Sequence, residues 1–431
     1  MKYTEMTIPQ LQSLKTKLNL EYAALQAKQL KLDMSRGKPG NAQLDLSMGM
    51  LSVLSTAEDL ISEEGIDCRN YGVLEGLLEA RRLIAELTDA RPEQVFIAGN
   101  ASLNLMYTMI ANAWIYGVNR YTPWGLQGKP CKQGTIKFLC PVPGYDRHFK
   151  ITESFGIEMI NIPMTPEGPD MNLVERYVEQ DPSVKGIWCV PKYSNPDGYS
   201  YSDTVVRRMA CLKPAAPDFR IFWDNAYIIH HLDFEDQDHI LNILEECAKA
   251  GNPDMVYEFV STSKMVFPGN GIAALISSDA NIADMKRLMA SETIGYDKIM
   301  QLKHVKFFKN LAGIEAHMKK HAALLKPRFE TIFSLFKELG ELGIARWTTP
   351  KGGYFVSLYT MEGCAKRVVT LCKEAGVILT GAGAAYPYGK DAQDSHIRIA
   401  PTYPSSEELR EACEVLILCV KLASVEKLLQ E

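Results

Sequence analysis

From about residue 75 the chain alternates short apolar, β-rich runs with helical stretches, and this alternation restricts the fold more than any other feature of the sequence. The runs are VFIAG, IKFLC, EMINI, GIWCV, RIFWD, MVYEFV and IAALIS. Strands separated by helices need crossover connections, so they build a largely parallel sheet covered on both faces. Seven such runs predict a large α/β domain. After about residue 300 the pattern changes. A long helical stretch from Gln301 to Leu339 precedes GGYFVSL, VILT and HIRIA, with helices between them and a last helix from Ser405 onward. This part reads as a smaller α+β domain joined by the long helix. Near the start, Leu11, Leu14, Leu18, Tyr22 and Leu25 recur at helical spacing between Ile8 and Leu30, and the segment ends in the turn-rich SRGKPGN.

A chain of 431 residues exceeds a single core, since domains run to about 150 residues. A hydrophobic share of 46% with 23% charged residues suits a soluble enzyme, and a net charge of -5 argues against nucleic acid or an acidic membrane as partner. No apolar stretch approaches the roughly 18 residues of a membrane span, and MKYTEMTIPQ lacks the basic start and apolar centre of a signal peptide, so a cytoplasmic protein is expected. The ten cysteines show no CxxC pair and read as reduced thiols. The eight histidines offer no HExxH pattern, and no metal site is expected.

Polar residues directly follow several of the strand candidates. Asn195 follows GIWCV in the turn SNPDG, Asp224 closes RIFWD with Tyr227 three residues on, and Lys264 follows MVYEFV in STSK. In a parallel sheet the carboxyl ends share one edge, where ligands bind. A lysine amine beside a carboxylate, a phenol and an amide suggests carbonyl chemistry through a Schiff base.

The motifs GKPG, YGVLEGLLEAR, GNASLNLMY, PVPGYDRHF, SNPDG, WDNAY, STSK and HIRIAPTYPS occur together and in order from about Leu32 to the C-terminal helix. In this the chain resembles the fold type I pyridoxal-phosphate (PLP) enzymes, specifically the class I/II aminotransferases, and within them the aspartate aminotransferases related to MocR. The resemblance implies α/β architecture of aminotransferase fold type I: a large PLP-binding domain with a mostly parallel seven-stranded sheet between helices, plus a smaller α+β domain. The expected division is an N-terminal helix and arm packing with the small domain at 1–50, the large domain at 51–310 and the small C-terminal domain at 311–431.

The same resemblance assigns roles. Lys264 matches the Schiff-base lysine, which once displaced by the substrate amine moves the α-proton as general base and acid; an isolated SxSK lysine would otherwise read as a surface residue. Asp224 matches the partner of the pyridine nitrogen, although DNAY could also open a helix with Asp224 as its cap. Tyr227 and Asn195 resemble the pair that hydrogen-bonds the ring's phenolic oxygen, and Asn-Pro-Asp-Gly is also turn chemistry on its own terms. Asn100, Ala101 and Ser102, at a strand-to-helix junction, would offer backbone N–H groups to the phosphate, or Ser102 is a plain helix cap. Tyr145 resembles the aromatic that stacks on the ring, or is a core tyrosine. Ser261 and Ser263 are placed for phosphate or lysine contacts. Arg398 matches the fork for the substrate α-carboxylate, with Gly37 and Asn195 near the same group. Tyr71 resembles the tyrosine that reaches the phosphate of a neighbouring subunit, which implies a homodimer. One departure stands out: where common members carry a phosphate-gripping arginine about eight residues after the lysine, this chain has FPGNGIA, with Ile272 at the nominal position.

The implied function is transamination by a ping-pong Schiff-base mechanism, with aspartate as amino donor and 2-oxoglutarate as acceptor. The second substrate carboxylate needs a cation, for which Arg36, Lys38 and the Lys298–Lys306 region are candidates. Two other readings stand beside it. A PLP-dependent lyase or decarboxylase would use the same lysine, aspartate and tyrosine. A MocR-like ligand-sensing domain would need a DNA-binding module, and only about 36 residues precede GKPG, too few for one.

Overall fold

The computed structural model describes residues 1–127 and 136–430. Its strands are β1 (Leu32–Asp33), β2 (Val95–Ile97), β3 (Lys137–Val142), β4 (Glu158–Thr165), β5 (Gly168–Pro169), β6 (Val184–Cys189), β7 (Arg220–Asp224), β8 (Val256–Ser261), β9 (Ala273–Ile276), β10 (Ala345–Trp347), β11 (Val356–Thr360), β12 (Val377–Ile378) and β13 (His396–Ile399).

All seven apolar runs become strands of one sheet, in the order β2-β9-β8-β7-β6-β3-β4-β5. β4, β3, β6, β7 and β8 run parallel to one another, and β9 is antiparallel to both β8 and β2. The eighth strand, two-residue β5, hairpins back on β4 at the edge. β6, β7 and β8 are buried along their whole length, as strands covered on both faces must be. Because they are parallel, Cys189, Asp224 and Ser261 end at one edge of the sheet, with Asp224 directly opposite Phe259.

The C-terminal strands form a separate antiparallel sheet, β10-β11-β13, in which Arg398 stands opposite Ser357. Half-buried β10 was not foreseen. β1 pairs in parallel with β12, which ties the chain before Ser35 to the C-terminal part. The N-terminal helix Ile8–Ala27 packs against the last helix, Ser406–Leu428, and Tyr22 Oη donates to the Leu371 carbonyl at 2.8 Å. One apolar cluster joins Leu11, Leu18 and Tyr22 to Phe329, Val356, Leu416 and Val420, while others flank the large sheet.

The single long helix expected from Gln301 to Leu339 is two helices, Lys298–Phe308 and Leu311–Glu341. Lys309 takes a left-handed φ of 68°, which ends the first, and Asn310 caps the second by accepting from Gly313 N at 3.0 Å. Among the described residues no helix is long and apolar enough to cross a membrane, and no group of three or more His, Cys, Asp or Glu side chains could hold a metal.

Candidate active site

A cavity of about 640 Å³ opens at the carboxyl edge of the large sheet and reaches β13. Every site residue expected from the sequence lines it except Asn100 and Tyr71.

Lys264 comes three residues after the end of β8, in a turn where Met265 N and Val266 N donate back to the Thr262 carbonyl. The Lys264 carbonyl accepts from Tyr354 Oη at 3.2 Å, which fixes the backbone, and Nζ lies 5.1 Å from the centre of the Tyr227 ring. Part of the side chain faces the cavity while protein surrounds the rest. Burial pulls its ammonium below the usual lysine range, and the Asp224 carboxylate only partly offsets this. A lysine biased toward its neutral form can act as nucleophile and base.

Asp224 is buried at the end of β7. No helix begins there, so the capping alternative does not apply. Its Oδ2 lies 3.0 Å from His148 Nε2, while Oδ1 is buried without a partner. An unpaired carboxylate oxygen in a buried place is costly unless a ligand donor meets it. His148 stacks on Trp188, with centres 4.4 Å apart and planes 10° apart, and meets Tyr145 edge-on at 4.9 Å. Sequence reasoning missed His148. The available signal was its spacing of three from Tyr145 inside PVPGYDRHF, which places both on one helical face. Tyr227 is buried beside Lys264, and burial first, then the Tyr145 phenol and Asp224 carboxylate, push its phenol well above the ordinary value, so it remains a donor.

The helix Ser102–Tyr116 starts at Ala101, which offers no side-chain cap. Ser102 is the first helical residue, and so is not its cap. The unsatisfied N–H groups of the first turn, with Ala101, Ser102 and Leu103 on the cavity wall, make an anion cradle. Asn100 is set apart from that wall, and its Nδ2 donates to the Gly269 carbonyl at 3.1 Å. The Ser261 and Ser263 hydroxyls, 2.6 Å apart, face the same cavity. Ile272 is 2% exposed and packs in the core under the sheet, with its N–H donating to Thr262 Oγ1 at 2.9 Å.

Arg398 projects from β13. Its Nη1 donates to Asp146 Oδ1 at 2.8 Å and to Asn195 Oδ1 at 3.3 Å, and its Nη2 donates to Thr380 Oγ1 at 3.3 Å. The guanidinium lies 4.9 Å from the Phe355 ring, and Gly37 packs on the same ring so closely that a Cβ there would meet Phe355 Cζ at 2.2 Å. Of the candidates for the second substrate carboxylate, Arg36 lines the cavity. Lys38 instead sits over the Tyr403 ring at 3.8 Å, and Lys298 donates to the Gly72 carbonyl at 3.1 Å. Arg147, unforeseen, also lines the cavity. Tyr71 is 82% exposed on the outer surface.

These residues fit PLP. The partnerless Asp224 Oδ1 suits a protonated ring nitrogen, the uncapped helix end with two serine hydroxyls suits a phosphate, and a lysine with lowered pKa suits an aldehyde.

The model of the aspartate amino-transferase family matches residues 6–431. A putative aminotransferase of Mycolicibacterium smegmatis is 46% identical over 411 residues, 95% of this chain and 94% of that protein. An aspartate aminotransferase of Corynebacterium glutamicum is 42% identical over 408 residues, 94% of this chain and 92% of that one. The crystal structure of an aspartate transaminase from Corynebacterium glutamicum superposes with a TM-score of 0.94 at 40% identity, covering 99% of both chains. Helix-turn-helix regulators match only distantly, at 22% identity over 282 residues for NorG of Staphylococcus aureus, so the relation to MocR is remote.

Proposed function

The chain belongs to the aspartate amino-transferase family and is a PLP-dependent aminotransferase, and from that premise we propose that it moves the amino group of L-aspartate to 2-oxoglutarate. The observation that carries the substrate class is the charge of the cavity wall: Arg36, Arg147, Lys264 and Arg398 against Asp146 and Asp224. With Asp224 matched to a ring nitrogen, the guanidinium groups remain for the two carboxylates of a dicarboxylic substrate. The name of the Corynebacterium glutamicum relative points the same way.

Lys264 would hold the cofactor, with Ala101, Ser102, Ser261 and Ser263 at its phosphate, Asp224 at its ring nitrogen, Tyr145 on its face, and Tyr227 and Asn195 at its phenolic oxygen. When bound, PLP supplies an electron sink for negative charge developing at the substrate α-carbon. His148 holds Asp224 in place. Arg398 fixes the α-carboxylate beside Gly37, which leaves the α-proton as the group to be moved and disfavours loss of the carboxylate. The Lys264 amine takes that proton and returns it, its basicity tuned by burial. Arg36 takes the side-chain carboxylate.

Tyr71, exposed and away from its own cavity, is assigned to the phosphate site of a second subunit, so that the active unit is a homodimer. The division at residues 50 and 310 and a cytoplasmic location belong to the same proposal.

Replacement of Arg36 with alanine tests the substrate class. Loss of a charge-assisted contact of about 1.5–3 kcal/mol lowers kcat/KM for L-aspartate by about 10- to 100-fold and leaves L-alanine within about 3-fold. An equal loss for both amino acids would show that Arg36 does not read the side chain.

A further inference from the structure

The arginine assigned to the substrate α-carboxylate already holds a carboxylate of this chain. Asp146 Oδ1 accepts from Arg398 Nη1 at 2.8 Å, and both side chains line the cavity, Arg398 at 10% and Asp146 at 31% exposure. Three of the five guanidinium N–H groups are engaged. Both Nη1 protons are taken, by Asp146 and Asn195, one on Nη2 goes to Thr380, and Nε is buried without a partner. Nε is also buried away from the cavity opening, so an incoming carboxylate that seeks a bidentate grip on the Nη1–Nη2 edge competes with Asp146.

Asp146 has a second place to go. Its Oδ2 lies 4.0 Å from Arg147 Nε, and it sits in the first turn of the helix Asp146–Ser154, where negative charge is stabilised. The ion pair also spans two sheets: Asp146 follows β3 of the large sheet, whereas Arg398 belongs to β13.

We infer that Asp146 is an internal counter-ion that occupies Arg398 until the substrate α-carboxylate displaces it toward Arg147, and that it thereby sets the affinity threshold of the site. The inference rests on the reading of Arg398 as the α-carboxylate anchor. Its consequence is selectivity: a small anion with no second anchor competes poorly against a tethered carboxylate, while an amino acid held also at its amine and side chain wins. Asp146 is a positioning residue here, since it acts through Arg398.

The test compares the parent holoenzyme with Asp146→Asn and Asp146→Ser, each checked for the visible absorbance of bound cofactor. With the competing charge gone, KM for L-aspartate and the inhibition constant of acetate both fall by about 5-fold, while kcat stays level or drops. A gain in affinity is a readout that structural damage does not produce. If both variants leave KM and the acetate constant unchanged or higher, while Arg398→Lys raises KM, the inference fails and the anchor reading stands. If Arg398→Lys leaves KM for L-aspartate unchanged, the anchor reading fails and the inference with it.

Discussion

Replacing Glu258 with glutamine is expected to stabilise the protein at alkaline pH and far less at acidic pH. Glu258 lies in the interior of β8, is 4% exposed, and accepts from Asn225 Nδ2 at 2.7 Å through Oε1. Asn225 follows Asp224, so this contact braces the corner that carries the candidate ring-nitrogen partner. Burial pushes the Glu258 carboxyl up to about 7, and the single Asn225 hydrogen bond does not offset it. A carboxyl whose folded pKa lies above its unfolded 4.5 binds more protons in the folded state, so stability is lost as pH rises from 4.5 through about 7. At 1.36 kcal/mol per pH unit the full loss is about 3 kcal/mol, reached by pH 8.5, against less than about 1 kcal/mol at pH 5. Glutamine keeps an acceptor for Asn225 and never ionises. The assay is urea unfolding of parent and variant at both pH values. The expected result is an advantage of the variant that grows by about 2.5 kcal/mol from pH 5 to pH 8.5. An advantage independent of pH, or one that shrinks as pH rises, would refute the reasoning.

Gly37→Ala places a Cβ 2.2 Å from Phe355 Cζ, so the ring beneath Arg398 must move; KM for L-aspartate rises about 10-fold with the cofactor absorbance unchanged. His148→Asn weakens the brace on Asp224 and lowers kcat about 10-fold or more while KM stays near the parent value, as steady-state kinetics would show. Tyr71→Phe weakens cofactor binding about 10-fold, and mixing it with excess Lys264→Ala restores tight binding, because hybrid dimers join an intact Lys264 to an intact Tyr71. If Tyr71 serves its own chain, mixing changes nothing.

Six of the seven strand positions were legible because a strand buried on both faces is a continuous apolar run, while partly exposed β4 showed only the apolar residues of EMINI; the parallel runs had to end at a shared edge. β5 and β10 left no such mark, because β5 is a Gly-Pro pair and β10 is the partly exposed Ala-Arg-Trp, neither of them an apolar run. The break at Lys309 and Asn310 was hidden because apolar spacing continues on either side of it, and only the backbone turn betrays it. Lys264, Asp224 and Tyr227 could be named because each closes or follows a strand at the edge where ligands bind, whereas Arg398 was named from the resemblance of HIRIAP to the family motif. His148 and Asp146 could not be assigned in this way. Both lie in the first turn of a helix, where polar residues are ordinary, and their meaning comes from Asp224 and Arg398, 76 and 252 residues away in sequence. The same limit left Arg147 unseen and allowed Lys38 and Lys298 to stand beside Arg36 until their contacts with Tyr403 and Gly72 set them apart.

The visible absorption of the purified holoenzyme, recorded before and after L-aspartate and again after 2-oxoglutarate, tests the central claim most directly. The account predicts a band that fades with aspartate and returns with 2-oxoglutarate, in the parent and not in Lys264→Ala. A band indifferent to aspartate, or a full response in Lys264→Ala, would contradict it.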